Sequence, residues 1–192
     1  MTEPAGEQPP TEHHLPEGLH TARSLVLVNT GDGKGKSSAA FGVVIRAVAR
    51  DWKVAVVQFL KSGEWHVGEQ DVATRLGVDW FALGEGFTWD SENLAADQAV
   101  ARDAWEQAKA LIQGGAYRLV VLDEITYPMT WGWIDTDDVV ATIRDRPATV
   151  SIVATGRDAP GALIDVADTV TEMRKVKHAY DAGIAAKKGI DY

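Results

Sequence analysis

A lysine and a hydroxyl set among glycines are the first residues in this chain that could do chemistry. Asn29-Thr30-Gly31-Asp32-Gly33-Lys34-Gly35-Lys36-Ser37-Ser38 follows the apolar run Ser24-Leu25-Val26-Leu27-Val28 and precedes an alanine-rich helical pattern. Strand, glycine-rich turn and helix, in that order, are the context a phosphate-binding loop needs. Glycines permit the tight turn and let backbone N–H groups come close to phosphate oxygens. The helix that follows adds its positive N-terminal end. Lys36 would supply a point charge to the phosphates, and the Ser37 hydroxyl would ligate a Mg²⁺ bridging them. The candidate binding residues are thus Gly31, Asp32, Gly33, Lys34, Gly35, Lys36, Ser37 and Ser38. The chain departs from the usual spacing at Thr30, where a glycine is customary, and Lys34 is an extra cation inside the loop. The bland alternative is a glycine-rich turn with solvated lysines.

A second stretch bears on that choice. Arg118-Leu119-Val120-Val121-Leu122-Asp123-Glu124 is an apolar strand ending in two carboxylates. Asp123 and Glu124 at such a strand end would hold a divalent cation or its water shell. Mg²⁺ is the expected ion, with Mn²⁺ able to replace it. Strands often end in acidic residues, so this signal is weak alone and gains its weight from the loop. The guanine-reading pattern Asn-Lys-x-Asp is missing, which favours ATP.

The elements that must position these groups follow from periodicity. Residues 36–50 carry apolar side chains at helical spacing, at Ala40, Val43, Val44, Ala47 and Val48. Lys53-Val54-Ala55-Val56-Val57-Gln58-Phe59 is a continuous β-branched run, suited to a strand covered on both faces of a parallel sheet. Residues 78–82 form a weaker strand candidate. Asp90 and Ser91 are candidate caps for a helix over 94–113, where Trp105 falls on the core stripe and Gly114-Gly115 ends the pattern. A helix over 136–144, a strand over 149–155, a short helix opened by Pro160 and a last strand over 169–173 complete the alternation. Strands alternating with helices predict an α/β fold: one P-loop NTPase-like domain over 22–192, with a mostly parallel sheet flanked by helices.

Residues 1–21 read as a flexible tail, because four prolines and few large apolar groups cannot offset the entropy of ordering. His13, His14 and His20 lie there without a folded frame to make them a metal site. No run of about 18 apolar residues predicts a membrane span. The net charge of −9 argues against nucleic-acid partners, and the lack of cysteine excludes disulfides, thiolate metal sites and cysteine nucleophiles. A cytoplasmic setting is the expectation.

Two glycine-punctuated loops carry large aromatics, Lys61-Ser62-Gly63-Glu64-Trp65-His66-Val67-Gly68-Glu69-Gln70 and Gly84-Glu85-Gly86-Phe87-Thr88-Trp89-Asp90. Loops after parallel strands are where α/β proteins bind ligands, so these aromatics are either a ligand platform or a cap on the core. His66 reads first as a hydrogen-bonded loop histidine. A further aromatic cluster, Tyr127, Trp131 and Trp133, lies just past the strand that ends at Asp123-Glu124.

Beyond these physical readings, the chain resembles the ATP:corrinoid adenosyltransferases of the cob(I)yrinic acid a,c-diamide type. The resemblance runs through the loop and on through Lys61-Ser62-Gly63-Glu64-Trp65, Gly86-Phe87-Thr88-Trp89-Asp90, Leu122-Asp123-Glu124-Ile125-Thr126-Tyr127, Thr155-Gly156-Arg157, Ala167-Asp168, Val176-Lys177-His178-Ala179-Tyr180-Asp181-Ala182-Gly183 and Gly189-Ile190-Asp191-Tyr192. Thr30 is shared with that family, and Ser37-Ser38 stands where Thr-Thr is frequent. The resemblance implies attack by corrinoid Co(I) on the 5′-carbon of ATP with release of triphosphate. It implies catalytic roles for Lys36, Phe87 and Trp89, the two rings packing under the corrin to exclude its lower axial ligand. It also suggests Arg157 as a phosphate or corrinoid contact, a reduced flavin or flavoprotein as electron donor, and a homodimer. A kinase or hydrolase acting at the γ-phosphate, and an ATP-gated corrinoid carrier, are the alternatives.

Overall fold

The computed structural model describes residues 17–60, 68–82 and 94–191. Residues 1–16 of the expected tail, the aromatic loop residues 61–67 and 83–93, and Tyr192 lie outside the described residues. Those ranges include His13, His14, His66, Phe87, Trp89, Asp90 and Ser91.

Six strands form one sheet: β1 (Val26–Thr30), β2 (Val54–Gln58), β3 (Asp79–Ala82), β4 (Leu119–Asp123), β5 (Ser151–Thr155) and β6 (Thr169–Glu172). Their spatial order is β3-β2-β4-β5-β1-β6, and every pairing is parallel. Helices α1 (Lys36–Val48), α2 (Gly68–Arg75), α3 (Leu94–Gly114), α4 (Thr126–Thr130), α5 (Thr136–Arg144) and α6 (Gly161–Asp165) supply the crossovers that parallel strands require.

The apolar runs are continuous because both faces of the sheet are covered. Val54, Val56, Leu119, Val121 and Val153 pack with Ala40, Val44 and Ala47 of α1 and with Ala73 of α2. The alternate residues Ala55, Val57, Val120, Leu122, Ile152 and Ala154 pack with Trp105 and Ile112 of α3 and Ile143 of α5. Trp105 is core, as its spacing predicts. Its indole N–H donates to Asp138 Oδ2 (2.6 Å), and Lys109 Nζ reaches Asp138 Oδ1 (2.6 Å), so one carboxylate on α5 clips two turns of α3. The Leu94 end of the predicted stripe is exposed instead.

Two helices were not foreseen. Gly68, Glu69 and Gln70, expected in a loop, open α2. Glu69 and Asp71 complement the helix dipole in its first turn. Of this helix only Ala73 is fully buried, which left little stripe to detect. The aromatic segment after β4 contains α4, where Pro128 stands in the first turn and costs no helical hydrogen bond. β6 is an edge strand with all four residues exposed.

Candidate active site

In a parallel sheet every strand's C-terminal end points the same way, and the chemistry collects there. β1 runs into the glycine loop, β2 ends at Gln58, β4 at Asp123-Glu124, and β5 at Thr155-Gly156-Arg157. The register sets Gln58 beside Asp123.

The loop is held by its own lysine. Lys36 Nζ donates to Gly31 O and Gly33 O, each at 2.7 Å, so the ammonium sits inside the curve of the loop. Burial lowers its pKa, and the Arg157 charge adds to that, while Glu124 and Asp32 oppose it. Asn29 Nδ2 donates to Lys36 O (3.1 Å) and ties the end of β1 to the start of α1. Gly35 precedes α1 with φ 111°, and no side chain caps the helix there. Ser37 and Ser38 occupy its first turn.

Thr30 has a structural reason. Its hydroxyl accepts from Ala159 N (3.2 Å), joining the loop to the chain beyond β5. A glycine could not make that contact. Gly31 and Gly33 answer to packing as well as to phosphate. A Cβ on Gly31 would lie 2.6 Å from Met173 O, and one on Gly33 would lie 2.7 Å from it. Gly33 N donates to that same oxygen (2.6 Å), so a phosphate would have to exchange for this bond. The exposed ammonium of Lys34 pairs with Asp191. The chain after β6 therefore lies against the loop at Met173 and again at Asp191, which spacing did not reveal.

Asp123 is buried, and its oxygens are engaged. Thr155 Oγ1 donates to Oδ1 (2.8 Å), Gln58 Nε2 lies 3.4 Å from Oδ2, and Ser37 also hydrogen-bonds to the carboxyl. Burial raises its pKa, and those hydrogen bonds pull the other way. Glu124 takes φ 62°, a left-handed conformation unusual for a residue with a side chain. Burial, reinforced by the Asp123 charge, pushes it up to about 8, with Lys36 and Arg157 opposing. Arg157 is exposed, and its carbonyl accepts from Thr126 Oγ1 (2.5 Å). Tyr127, whose pKa is raised chiefly by burial and then by Glu124, leads into a run of tilted ring contacts, with Trp131 (centroids 5.6 Å apart) and from Trp131 to Trp133 (4.7 Å).

Lys36, Ser37, Asp123, Glu124 and Arg157 thus lie close together at the strand ends. Sequence reasoning missed Asn29, Gln58 and Thr126 and gave Thr155 no role. The available signal was a polar residue closing each apolar strand run. Whether the residues fit a divalent cation can be tested on the donors. They are oxygens, the hard ligands Mg²⁺ prefers. Gln58 Oε1 is buried without a partner beside Asp123, an acceptor suited to a water of the ion's shell. Among the described residues no group of three or more His, Cys, Asp or Glu could hold a metal by itself. The residues therefore fit an ion that arrives with phosphate and keeps its waters.

Comparison with known proteins bears on the same geometry. The family model described as ATP:corrinoid adenosyltransferase BtuR/CobO/CobP matches residues 22–192. A corrinoid adenosyltransferase of Escherichia coli strain K12 is 42% identical over 170 residues, covering 88% of this chain and 86% of the relative. One from Pseudomonas aeruginosa is 45% identical over 172 residues, covering 88% and 84%. The corrinoid adenosyltransferase CobA of Salmonella typhimurium is 41% identical over 170 residues, covering 88% and 86%.

Proposed function

The chain belongs to the ATP:corrinoid adenosyltransferase family, and on that footing we propose that the cradle at the ends of β1, β4 and β5 holds ATP by its triphosphate. The enzyme transfers the 5′-deoxyadenosyl group of ATP to the Co(I) of a reduced corrinoid, releasing triphosphate. The cobalt electron pair forms the Co–C5′ bond, the C5′–O bond breaks, and its pair leaves on the triphosphate. That assignment sets aside the γ-phosphate kinase and the corrinoid carrier.

The observation that carries the site reading is the seat of Lys36, inside the loop and within the fields of Glu124 and Arg157. On phosphate binding the ammonium exchanges loop carbonyls for phosphate oxygens and stabilises the charge that grows on the leaving group. The loop N–H groups and the positive end of α1 do the same. Lys34 and Arg157 add charge at the rim. Mg²⁺, or Mn²⁺ in its place, would be held by Ser37 and Glu124 and would neutralise part of the triphosphate. Asp123 acts through Ser37 and water, because its own oxygens are already engaged. The domain is P-loop NTPase-like in this reading and spans 22–192, with 1–21 as a tail.

Phe87 and Trp89 are assigned the corrin's lower face. With the axial ligand excluded, no donor raises the energy of the orbital being filled, and cobalt is easier to reduce. A reduced flavin or flavoprotein supplies the electrons. A cytoplasmic homodimer completes the reading, carried by the family resemblance.

The test is an anaerobic incubation with ATP, Mg²⁺ and chemically reduced corrinoid, following the cobalt spectrum and phosphate products together. A light-sensitive alkyl-cobalt product with stoichiometric triphosphate is expected; ADP with unaltered corrinoid would overturn the reading. Lys36→Ala should lose about 10²–10³-fold in turnover. Phe87→Ala should slow cobalt reduction far more than it weakens ATP binding.

A further inference from the structure

Glu124 holds a backbone conformation that residues with side chains rarely adopt, at the point where the site needs a carboxylate (φ 62°). Something must hold it there. Its N–H donates to Thr155 Oγ1 at 2.9 Å. Because an N–H can only donate, that oxygen is the acceptor, and the hydroxyl proton is left for Asp123 Oδ1 at 2.8 Å. Thr155 is fully buried, so water cannot substitute for either bond. A single hydroxyl thus fixes the backbone of one carboxylate residue and the side chain of the other.

The neighbouring strand end returns the contact. Thr126, also fully buried, donates its hydroxyl to Arg157 O. Gly156 passes so close above it that a Cβ there would lie 2.0 Å from Thr126 Oγ1. The ends of β4 and β5 are therefore stitched in both directions, and the stitches bracket Glu124 and Arg157. These two charges act on Lys36 with opposite sign, Asp32 adding to that of Glu124.

We propose that Thr155 is a positioning residue for adenosyl transfer, its hydroxyl holding Glu124 in the left-handed turn that aims its carboxylate at the triphosphate-bound cation. The proposal rests on the assignment of Glu124 to that cation made above. A buried threonine that merely fills space would give a different pattern. Valine would replace it without functional loss, since it keeps the shape and removes only the hydroxyl.

The experiment uses the full chain, with Mn²⁺ and ATP as probes and free Mn²⁺ read by electron paramagnetic resonance. Thr155→Val is expected to weaken ATP-dependent Mn²⁺ binding by about 10–100-fold, the usual effect of removing a group that orients a metal ligand. Thr155→Ser, which keeps the hydroxyl, should stay within about threefold of wild type by the same reasoning. Wild-type binding by Thr155→Val, or equal losses in the valine and serine variants, would overturn the positioning role. If Thr155→Val fails to fold, Thr155→Cys must show the loss, because a thiol keeps a γ-atom but hydrogen-bonds weakly. Glu124→Gln separates the two layers of the argument. Wild-type binding in that variant removes Glu124 from the metal, and the proposal falls with it. A defective Glu124→Gln beside an unaffected Thr155→Val overturns the positioning role alone.

Discussion

Glu124 shows how one residue's surroundings set its chemistry. Its carboxyl is raised to about 8 by burial and by the adjacent Asp123, against the pull of Lys36 and Arg157. Between its ordinary value of 4.5 and about 8, the folded chain keeps a proton that the unfolded chain has released. Stability must therefore fall as pH rises through that window. Glu124→Gln, which cannot ionise, is expected to melt above wild type at pH 8 in the absence of nucleotide. The gap should close as pH falls toward 4.5. A melting difference that ignores pH would show that Glu124 titrates like an exposed carboxylate. The electrostatic cost at this residue is that of burying a carboxyl beside Asp123, which Lys36 and Arg157 offset only in part.

At the scale of elements, the phosphate loop and the C-terminal segment are a single packed unit. Met173, just past β6, receives the Gly33 N–H and lies within 2.6–2.7 Å of where Gly31 and Gly33 would carry side-chain carbons. Asp191, far along the exposed segment, pairs with Lys34. Gly33→Ala would force the backbone at Met173 aside, an overpacking that costs about 1–3 kcal/mol. In a chain of this size that is a fall of roughly 2–12 °C in Tm. Thermal melts without nucleotide check it, since a glycine kept only for phosphate contact would tolerate alanine until ATP is added. The exposed Lys34–Asp191 pair adds little stability by itself. Its consequence is local: it ties Asp191 to the rim of the loop.

Taken as a whole, the described residues form a sheet covered on both faces, with the candidate site at the C-terminal ends of its strands. Ligand binding there is linked to global stability by mass action. ATP with Mg²⁺ at about 100 times its Kd should add about 2.7 kcal/mol, or roughly 5–10 °C in Tm. The same concentration should shift Lys36→Ala far less. A wild-type protein whose melting ignores Mg²⁺·ATP would argue against the nucleotide site.

Much of this was legible in the chain. The apolar runs at β1, β2, β4 and β5 announce parallel strands because both faces must be buried, and the glycines between β1 and α1 announce a tight turn because their backbone permits it. Lys36, Ser37, Asp123 and Glu124 could each be named as candidates from type and position, and Arg157 from the family resemblance. Spacing could not supply the contacts between distant residues. Thr155 bonding Asp123 and Glu124, Thr126 bonding Arg157, Gln58 beside Asp123 and Met173 against Gly33 all join strands that lie far apart in sequence. Helices α2 and α4 escaped detection because one buries little and the other is a single turn around a proline. Periodicity reports how each segment meets the core, and so the sequence by itself determined the elements that bury an apolar face and the candidate site residues. The directions those residues face depend on which strand ends become neighbours, and only the β3-β2-β4-β5-β1-β6 order of the folded sheet decided that.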